Sequence, residues 1–276
     1  MTVQTALLQG TVLLEDAEVP VPRLTAEVLL GHVIHGAREY LLAHPERELD
    51  ELEWLHYGRY LHDRLNGKPT QYITGRQEFF GRDFRVTPDV LIPRPETEHV
   101  VEAALALARG ARRALDIGTG SGALAVTLSQ ELFAEVWATD ISPDAALVAA
   151  DNALRLSAPV NLVVCDLMEA IAPQSMELIV SNPPYVPEPD RASLAVEVRD
   201  YEPTFALFAG NDGLDVIHRL VPAAIAVLDP GGALFMEFGY GQRPAVDALL
   251  AGAGYEEIEF VQDLQGIPRV AMARKP

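Results

Sequence analysis

The chain has 276 residues, 49% of them hydrophobic, and no apolar run long enough to cross a bilayer, so it has the composition of an ordinary globular protein with room for two medium-sized domains. Its 40 acidic and 21 basic residues give a net charge of −19, which repels phosphate backbones and disfavours general binding to nucleic acid. We expect no membrane association and no stable nucleic-acid complex; a partner with a basic docking surface suits this charge.

The cysteine, the histidines and the N-terminal residues indicate the cellular location and the kinds of site to expect. Residues 1–5 lack the basic stretch and apolar run of a secretory signal, which predicts a cytoplasmic protein. The single cysteine, Cys165, leaves no intramolecular disulfide and no cysteine-cluster metal site, and its apolar neighbours predict burial in the core. His32 and His35 lie three residues apart, but no histidines have a metal-ligand spacing, so we expect no metal.

Residues 1–67 have the periodicity of helices. Apolar residues recur at a spacing of three to four, as at Leu24 and Val28, and residues 49–65 repeat the pattern. This segment predicts a small all-helical domain.

Over residues 68–90 the pattern changes, because aromatic and β-branched residues are interrupted by glycine in 71–75 and 78–86. The change predicts a β-hairpin linker.

Residues 91–276 alternate strands and helices after a proline-rich lead-in, where Pro93 and Pro95 impose an extended entry to a helix that starts at residue 96 or 97 and runs to 109. Strands are predicted at 114–117, 136–139, 162–165, 178–180, 233–238, 257–261 and 269–273, helices at 123–131, 144–156 and 214–228, and a turn at 229–232. Such alternation predicts an α/β domain in which helices cover both faces of a mostly parallel, seven-stranded sheet.

A glycine-rich loop follows the first strand of this domain. It consists of Gly118, Thr119, Gly120, Ser121 and Gly122, and it would let a ligand approach the backbone at the start of a helix. The spacing also satisfies the dinucleotide fingerprint, so a nicotinamide enzyme stays possible at this point. Asp116, two residues before the first glycine, suits an ammonium group better than a pyrophosphate.

Acidic residues end the next two strands. Asp140 can accept hydrogen bonds from both ribose hydroxyls of an adenosine ligand, although it can also cap the following helix. Asp166 can accept from an adenine amino group, and Leu167 can cover the ring, although an acid at a strand end is common without a ligand. The pattern favours an adenosine-containing ligand without selecting one.

The fourth strand runs directly into Asn182, Pro183, Pro184 and Tyr185. The Asn182 side-chain oxygen and the Pro183 carbonyl can accept the two N–H groups of an amide or amine, and the prolines hold both acceptors in place. Tyr185 offers a flat face for a planar group. The loop therefore predicts transfer chemistry at a planar nitrogen, unless it is only a turn that ends a strand.

These segments resemble known methyltransferases. The glycine loop, Asp140 and the Asn182–Tyr185 loop are similar to class I S-adenosylmethionine-dependent enzymes that modify amide or exocyclic nitrogens. The lead-in 91–98, the helical N-terminus and the run 197–203 narrow the resemblance to the PrmC/HemK family of peptide chain release factor glutamine methyltransferases, over essentially the whole chain.

The resemblance implies a Rossmann-like methyltransferase domain over residues 91–276, a helical substrate-docking domain over 1–67 and a hairpin over 68–90. S-adenosylmethionine would be converted to S-adenosylhomocysteine, and the substrate would be the glutamine of the Gly-Gly-Gln loop of class I release factors, which links the enzyme to translation termination. Cofactor-binding residues would be Asp116, Gly118, Thr119, Gly120, Ser121, Gly122, Asp140, Asp166, Leu167 and Asn182. Substrate-binding residues would be Asn182, Pro183, Pro184 and Tyr185, with Asn182, Pro183 and Tyr185 as the catalytic group.

Three rival functions stay open on the sequence. An adenine-N6 nucleic-acid methyltransferase could hold a flipped base in the same loop but would need a basic groove, of which the sequence has no sign. A non-catalytic cofactor-binding regulator would need an incomplete site, and a dinucleotide oxidoreductase would bind a nicotinamide. Glu197, Arg199 and Glu202 are predicted to stabilise the loop that follows Tyr185.

Overall fold

A computed structural model describes all 276 residues, which form two compact units. The first unit comprises Met1–Arg76 together with Ala195–Tyr201. The second comprises Gln77–Leu194 and Glu202–Pro276. None of the helices combines the length and the apolar character that a bilayer-crossing segment requires.

The first unit is helical. Its helices are α1 (Val3–Asp16), α2 (Pro22–Ile34), α3 (Arg38–Ala43), α4 (Glu51–Leu65) and α5 (Thr70–Thr74). Helix α4 begins with a capping box in which Asp50 accepts from the backbone N–H of Glu53 and Glu53 accepts from that of Asp50. Leu29 and Tyr57 are fully buried in the apolar core that joins these helices. The predicted all-helical N-terminal domain is confirmed.

The hairpin is present but starts later than predicted. Residues 71–75, predicted as its first arm, lie in α5 and its C-cap Gly75, and the strands are β1 (Arg76–Phe79) and β2 (Arg82–Arg85). Pro69 precedes the helix, and Tyr72 and Ile73 are buried. Burial of these two side chains, with Ile73 in the helical core, outweighs their β propensity.

The second unit has the predicted sheet. Its strands are β3 (Arg113–Ile117), β4 (Glu135–Asp140), β5 (Val160–Val164), β6 (Met176–Ser181), β7 (Leu228–Glu237), β8 (Glu256–Gln262) and β9 (Pro268–Arg274). They are ordered β5-β4-β3-β6-β7-β9-β8, and only the pairings of β9 are antiparallel. A mostly parallel, seven-stranded sheet is therefore confirmed. The order reverses between β3 and β6, where open α/β sheets form ligand sites.

Both faces of the sheet are buried. Successive residues point to opposite faces, so in β6 Leu178 and Val180 join one apolar core while Ile179 joins the other. The remaining helices of the chain are α6 (Glu98–Leu107), α7 (Ala123–Glu131), α8 (Pro143–Arg155), α9 (Val196–Tyr201), α10 (Asp215–Val227) and α11 (Arg243–Gly252), with short 3-10 helices at Pro95–Thr97, Glu188–Ser193 and Thr204–Ala206. Helix α9 belongs to the first unit.

Two further predictions from the sequence are wrong. Residues 229–232, predicted as a turn, form part of β7 and loop out as a bulge, because Met176 pairs with Leu228 whereas Leu178 pairs with Ala233. Cys165 is half-buried rather than buried in the core. It follows β5, which is an edge strand of the sheet with one side open.

Candidate active site

A cavity of about 260 Å³ opens at the carboxyl ends of β3, β4 and β6. It lies at the strand-order reversal, where α7 packs into the apolar core on one face of the sheet and α10 packs into the core on the other. Ten predicted site residues line it: Gly118, Thr119, Gly120, Ser121, Asp140, Asp166, Leu167, Asn182, Pro183 and Pro184. The lining is mostly apolar, with carboxylates and amide groups at a few positions, as is usual for a small-molecule site.

The glycine loop has a conformation that other residues adopt only with strain. Gly118, Gly120 and Gly122 have φ angles of 70°, 54° and 81°, all in the left-handed region. At Gly122 a Cβ would also lie 3.2 Å from the Cβ of Ala149, so helix α8 packs directly behind the loop. Gly122 does not line the cavity; it permits the close packing that shapes the wall.

Asp140 joins the glycine loop to the start of α8. One of its carboxylate oxygens accepts from the backbone N–H of Gly120 at 2.8 Å, and the other accepts from that of Ser142 at 2.9 Å. Burial raises the pKa of Asp140, and these N–H donors oppose that rise. The helix N-cap is Ser142, so Asp140 holds two loops together at the cavity wall rather than capping α8.

Asp116 lies behind the glycine loop and does not line the cavity. Its Oδ2 accepts from the Thr119 hydroxyl at 2.7 Å and from the backbone N–H of Ala125 at 3.1 Å, whereas its buried Oδ1 has no hydrogen-bond partner. Burial raises the pKa of this carboxyl to about 7. In this geometry Asp116 supports the glycine loop from behind. Its side chain does not reach the cavity, where the predicted contact with an ammonium group would have to form.

In the cavity lining, Asp166 is paired with Arg219 of α10. The Arg219 guanidinium lies 2.6 Å from Asp166 Oδ2, and both side chains line the cavity. Leu167, with a φ of 48°, and the exposed side chains of Ile141 and Phe205 supply apolar walls nearby. Arg219 was missed from the sequence because a single arginine on an amphipathic helix has no motif around it.

Asn182 is oriented by groups outside its own loop. Its Nδ2 donates to the Thr97 hydroxyl at 2.9 Å, and that hydroxyl donates to Glu237 at 2.7 Å. Glu237 is only 1% exposed. With its nitrogen engaged by Thr97, Asn182 keeps its side-chain oxygen as the acceptor available to the cavity that it lines.

Tyr185 does not line the cavity. The Tyr185 hydroxyl donates to Glu237 at 2.8 Å. Burial, and to a smaller extent the negative charge of Glu237, raises the pKa of Tyr185 well above the ordinary value. Its ring packs against the core on one face of the sheet. Thr97 and Glu237 are the polar partners of this loop that sequence reasoning missed, although Glu237 ends a buried strand in the same way as Asp140.

Of the three residues predicted to stabilise the segment after Tyr185, Glu202 has the clearest contacts. It is 4% exposed, pairs with Arg94 at 2.5 Å and accepts from the backbone N–H of Ile92 at 3.3 Å, so it holds the proline-rich lead-in. Glu197 pairs with Arg64 at 2.6 Å within the first unit.

The third residue, Arg199, makes an ion pair at 2.7 Å with its neighbour Asp200. This pair is exposed.

Comparison with known proteins identifies the family. The chain is 46% identical to a release factor glutamine methyltransferase of Koribacter versatilis, over 100% of this chain and 99% of that relative. The chain belongs to the release factor glutamine methyltransferase family. A second member, from Moorella thermoacetica, is 42% identical over 99% of this chain and 98% of its own length. The family resemblance read from the sequence is thereby confirmed.

Domain families and solved structures agree with this membership. Residues 5–75 match the PrmC N-terminal domain, and residues 99–198 match the methyltransferase small domain. A methyltransferase from Pyrococcus furiosus superposes with a TM-score of 0.56 at 19% identity, covering 79% of this chain and 98% of that one. The 16S rRNA N2 G1207 methyltransferase of T. thermophilus gives 0.55 at 21% identity, covering 73% and 50%. The chain is therefore an enzyme with the fold of S-adenosylmethionine-dependent methyltransferases.

Proposed function

We propose that this enzyme transfers a methyl group from S-adenosylmethionine to the side-chain amide nitrogen of the glutamine in the Gly-Gly-Gln loop of class I release factors, leaving S-adenosylhomocysteine and releasing one amide proton. The observation that carries the proposal is the orientation of Asn182, whose amide nitrogen is held by Thr97 while its oxygen stays available at the cavity. An acceptor at this point suits an N–H substrate, and the curated relatives are named for glutamine methylation.

The residues of the cavity fit the proposed cofactor. Gly118, Thr119, Gly120 and Ser121 bring backbone close to a ligand, and Asp140 lies at the end of the neighbouring strand, where it can accept from ribose hydroxyls. Leu167 can cover an adenine, and Asp166 can accept from its amino group if Arg219 yields part of their ion pair. Asp116 and Gly122 then shape the loop from behind. The bound cofactor supplies an electrophilic methyl group on a sulfonium.

The substrate nitrogen needs help because its lone pair is delocalised into the amide. Asn182 Oδ1 and the Pro183 carbonyl can accept its two N–H groups and align the nitrogen with the methyl group. Both acceptors are neutral, so the nitrogen is oriented without a strong base. Pro183 and Pro184 restrict the loop, and Tyr185 supports it by bonding to Glu237.

We propose that each part of the chain has its own role. Residues 1–67 bind the release factor, residues 68–90 connect the two domains, and residues 91–276 bind the cofactor and catalyse methyl transfer. The helical domain exposes Leu52 and Leu55, which are 65% and 63% accessible on one side of α4. Exposed apolar side chains together with a net charge of −19 suit a protein partner with a basic surface. A substrate that belongs to the translation machinery implies a cytoplasmic enzyme. We propose that the enzyme binds neither a metal ion nor a membrane.

Mass spectrometry of a release factor after incubation with enzyme and labelled S-adenosylmethionine tests the proposal. We expect one added methyl group on the glutamine of the Gly-Gly-Gln loop. Parallel reactions contain DNA and RNA, because the adenine-directed alternative would label these instead. Labelled nucleic acid with an unmodified release factor would reject the proposed substrate. Tight calorimetric binding of a reduced nicotinamide, with none of S-adenosylmethionine, would reject the methyl donor as well.

A further inference from the structure

A chain of hydrogen bonds runs from the cavity to a buried carboxylate. It passes from Asn182 Nδ2 to Thr97 Oγ1 over 2.9 Å and from Thr97 Oγ1 to Glu237 Oε2 over 2.7 Å. The Tyr185 hydroxyl donates to Glu237 Oε1 over 2.8 Å. Thr97 lines the cavity, whereas Glu237 does not and is 1% exposed. Glu237 can therefore influence a bound substrate only through the residues that it holds.

The number of protons along this chain sets the direction of every bond. An ionised Glu237 has no proton to give, so both hydroxyls that reach it must donate. Thr97 has one hydroxyl proton, and once that proton points to Glu237 the Thr97 oxygen can only accept from Asn182. Asn182 must then present its NH₂ to Thr97, which leaves Oδ1 as the group that can accept from a substrate.

We propose that Glu237 is a positioning residue that sets the polarity of the Asn182 amide through Thr97, so that the enzyme offers an acceptor and not a donor to the substrate nitrogen. The inference deepens the proposed function and rests on it, because polarity matters only if the substrate presents N–H groups. Parallel pairing supplies the geometry, since Ser181 pairs with Met236 and the next residues of the two segments are Asn182 and Glu237.

Both oxygens of the Glu237 carboxyl face hydroxyl groups that can donate to it. Burial raises the pKa of Glu237 overall, and the Glu96 charge adds to this rise, whereas the Thr97 and Tyr185 hydroxyls and the positive charge of Arg269 offset only part of it. Experiments are run at pH 8, because a carboxyl group is more completely ionised at higher pH. Two donated hydroxyl protons satisfy the buried group, which would otherwise be costly to keep in the protein interior.

Glu237→Gln is nearly isosteric but supplies a donor. A glutamine N–H can bond to the Thr97 oxygen and turn its hydroxyl proton toward Asn182, which reverses the amide and presents NH₂ to the substrate. Two N–H donors then face each other in the cavity. Thr97→Val removes the hydroxyl and leaves the Asn182 amide without its partner, whereas Thr97→Ser keeps the hydroxyl.

Methyl transfer to a release factor, measured at pH 8 under single-turnover and steady-state conditions, tests the inference. The matched control is Thr127→Val, because Thr127 is a fully buried threonine in α7 whose hydroxyl has no partner. We expect Glu237→Gln and Thr97→Val each to lower kcat on the order of 10- to 100-fold. The Kd for S-adenosylmethionine stays within about threefold in calorimetry, Thr97→Ser retains most activity, and the Thr127 control matches the wild type.

The double variant separates positioning from a merely structural role. If Glu237 acts through Thr97, the combined substitution lowers kcat no further than the more damaging single one. Multiplicative losses, or a folded Glu237→Gln enzyme with wild-type kcat, would overturn the inference. If Glu237→Gln does not fold, the Thr97 pair decides: equal kcat for valine and serine overturns it. Failure of the wild-type enzyme to methylate the release factor would instead reject the proposed function.

Discussion

Replacing Asp116 with asparagine should make the protein less sensitive to pH. Asp116 is 1% exposed, and one of its oxygens is buried without a partner. Burial raises the pKa of this carboxyl from 3.8 to about 7, so the folded protein binds the proton more tightly than the unfolded chain does. Its contribution to the free energy of unfolding is therefore highest below pH 4 and falls as the pH rises to 7.

The loss of folding free energy caused by ionised Asp116 can be calculated from the shift of its pKa. Each pKa unit corresponds to about 1.4 kcal/mol, so ionised Asp116 destabilises the fold by about 4 kcal/mol at pH 8 and by about 2 kcal/mol at pH 5. Asparagine keeps the oxygen that Thr119 and Ala125 bond and places a buried NH₂ on the other side, at a cost of about 1–3 kcal/mol that does not depend on pH. That cost cancels when the two pH values are compared.

The measurement is urea unfolding of wild-type and Asp116→Asn protein at pH 5 and pH 8, without cofactor. The stability of the variant relative to wild type should be more favourable at pH 8 by about 2–3 kcal/mol. Asp247→Asn, which removes an exposed carboxylate on α11, is the control and should show no such difference. An Asp116→Asn effect that is the same at both pH values would refute the reasoning from burial.

Three further predictions concern activity and cofactor binding. Asn182→Ala should lower the single-turnover rate on the order of 100-fold or more, with an unchanged circular dichroism spectrum; an unchanged rate would contradict the proposed mechanism. Gly122→Ala should lower the unfolding free energy by about 1–3 kcal/mol in urea and weaken cofactor binding, because φ is 81° and the new Cβ meets Ala149. Leu52→Gln combined with Leu55→Gln should raise KM for the release factor several-fold while the cofactor Kd stays constant; an unchanged KM would reject docking at this face.

The α/β domain could be predicted because its signals are local. The strands β3 to β6 are short apolar runs, and at or just after their carboxyl ends they carry Gly118, Asp140, Asp166 and the Asn-Pro-Pro turn, in that order. Parallel strands direct these ends to one edge of the sheet, so Gly118, Asp140 and Asn182 could be placed together from their order alone. The cavity contains all three.

Local patterns failed where packing decided the conformation. Residues 71–75 have β-favouring side chains but form a helix and its C-cap, because Tyr72 and Ile73 become buried, Ile73 in the core of the helical unit. Residues 229–232 have turn chemistry but bulge out of β7, because the pairing with β6 continues on both sides. Burial and register are properties of the assembled sheet and helices, and neither is encoded in a short window.

By itself the sequence determined the family and the sheet edge at which the glycine loop, Asp140 and the Asn-Pro-Pro loop meet, since these depend on residue types at short spacing. Only the tertiary structure decided which polar groups meet. Thr97 and Glu237 lie 140 positions apart, yet one hydrogen bond joins them and a second joins Thr97 to Asn182. Tyr185 turns to the same carboxylate instead of the cavity, and Asp116 lies beneath its loop. Buried polar groups must find partners, and which partners are within reach is known only once the strands are side by side.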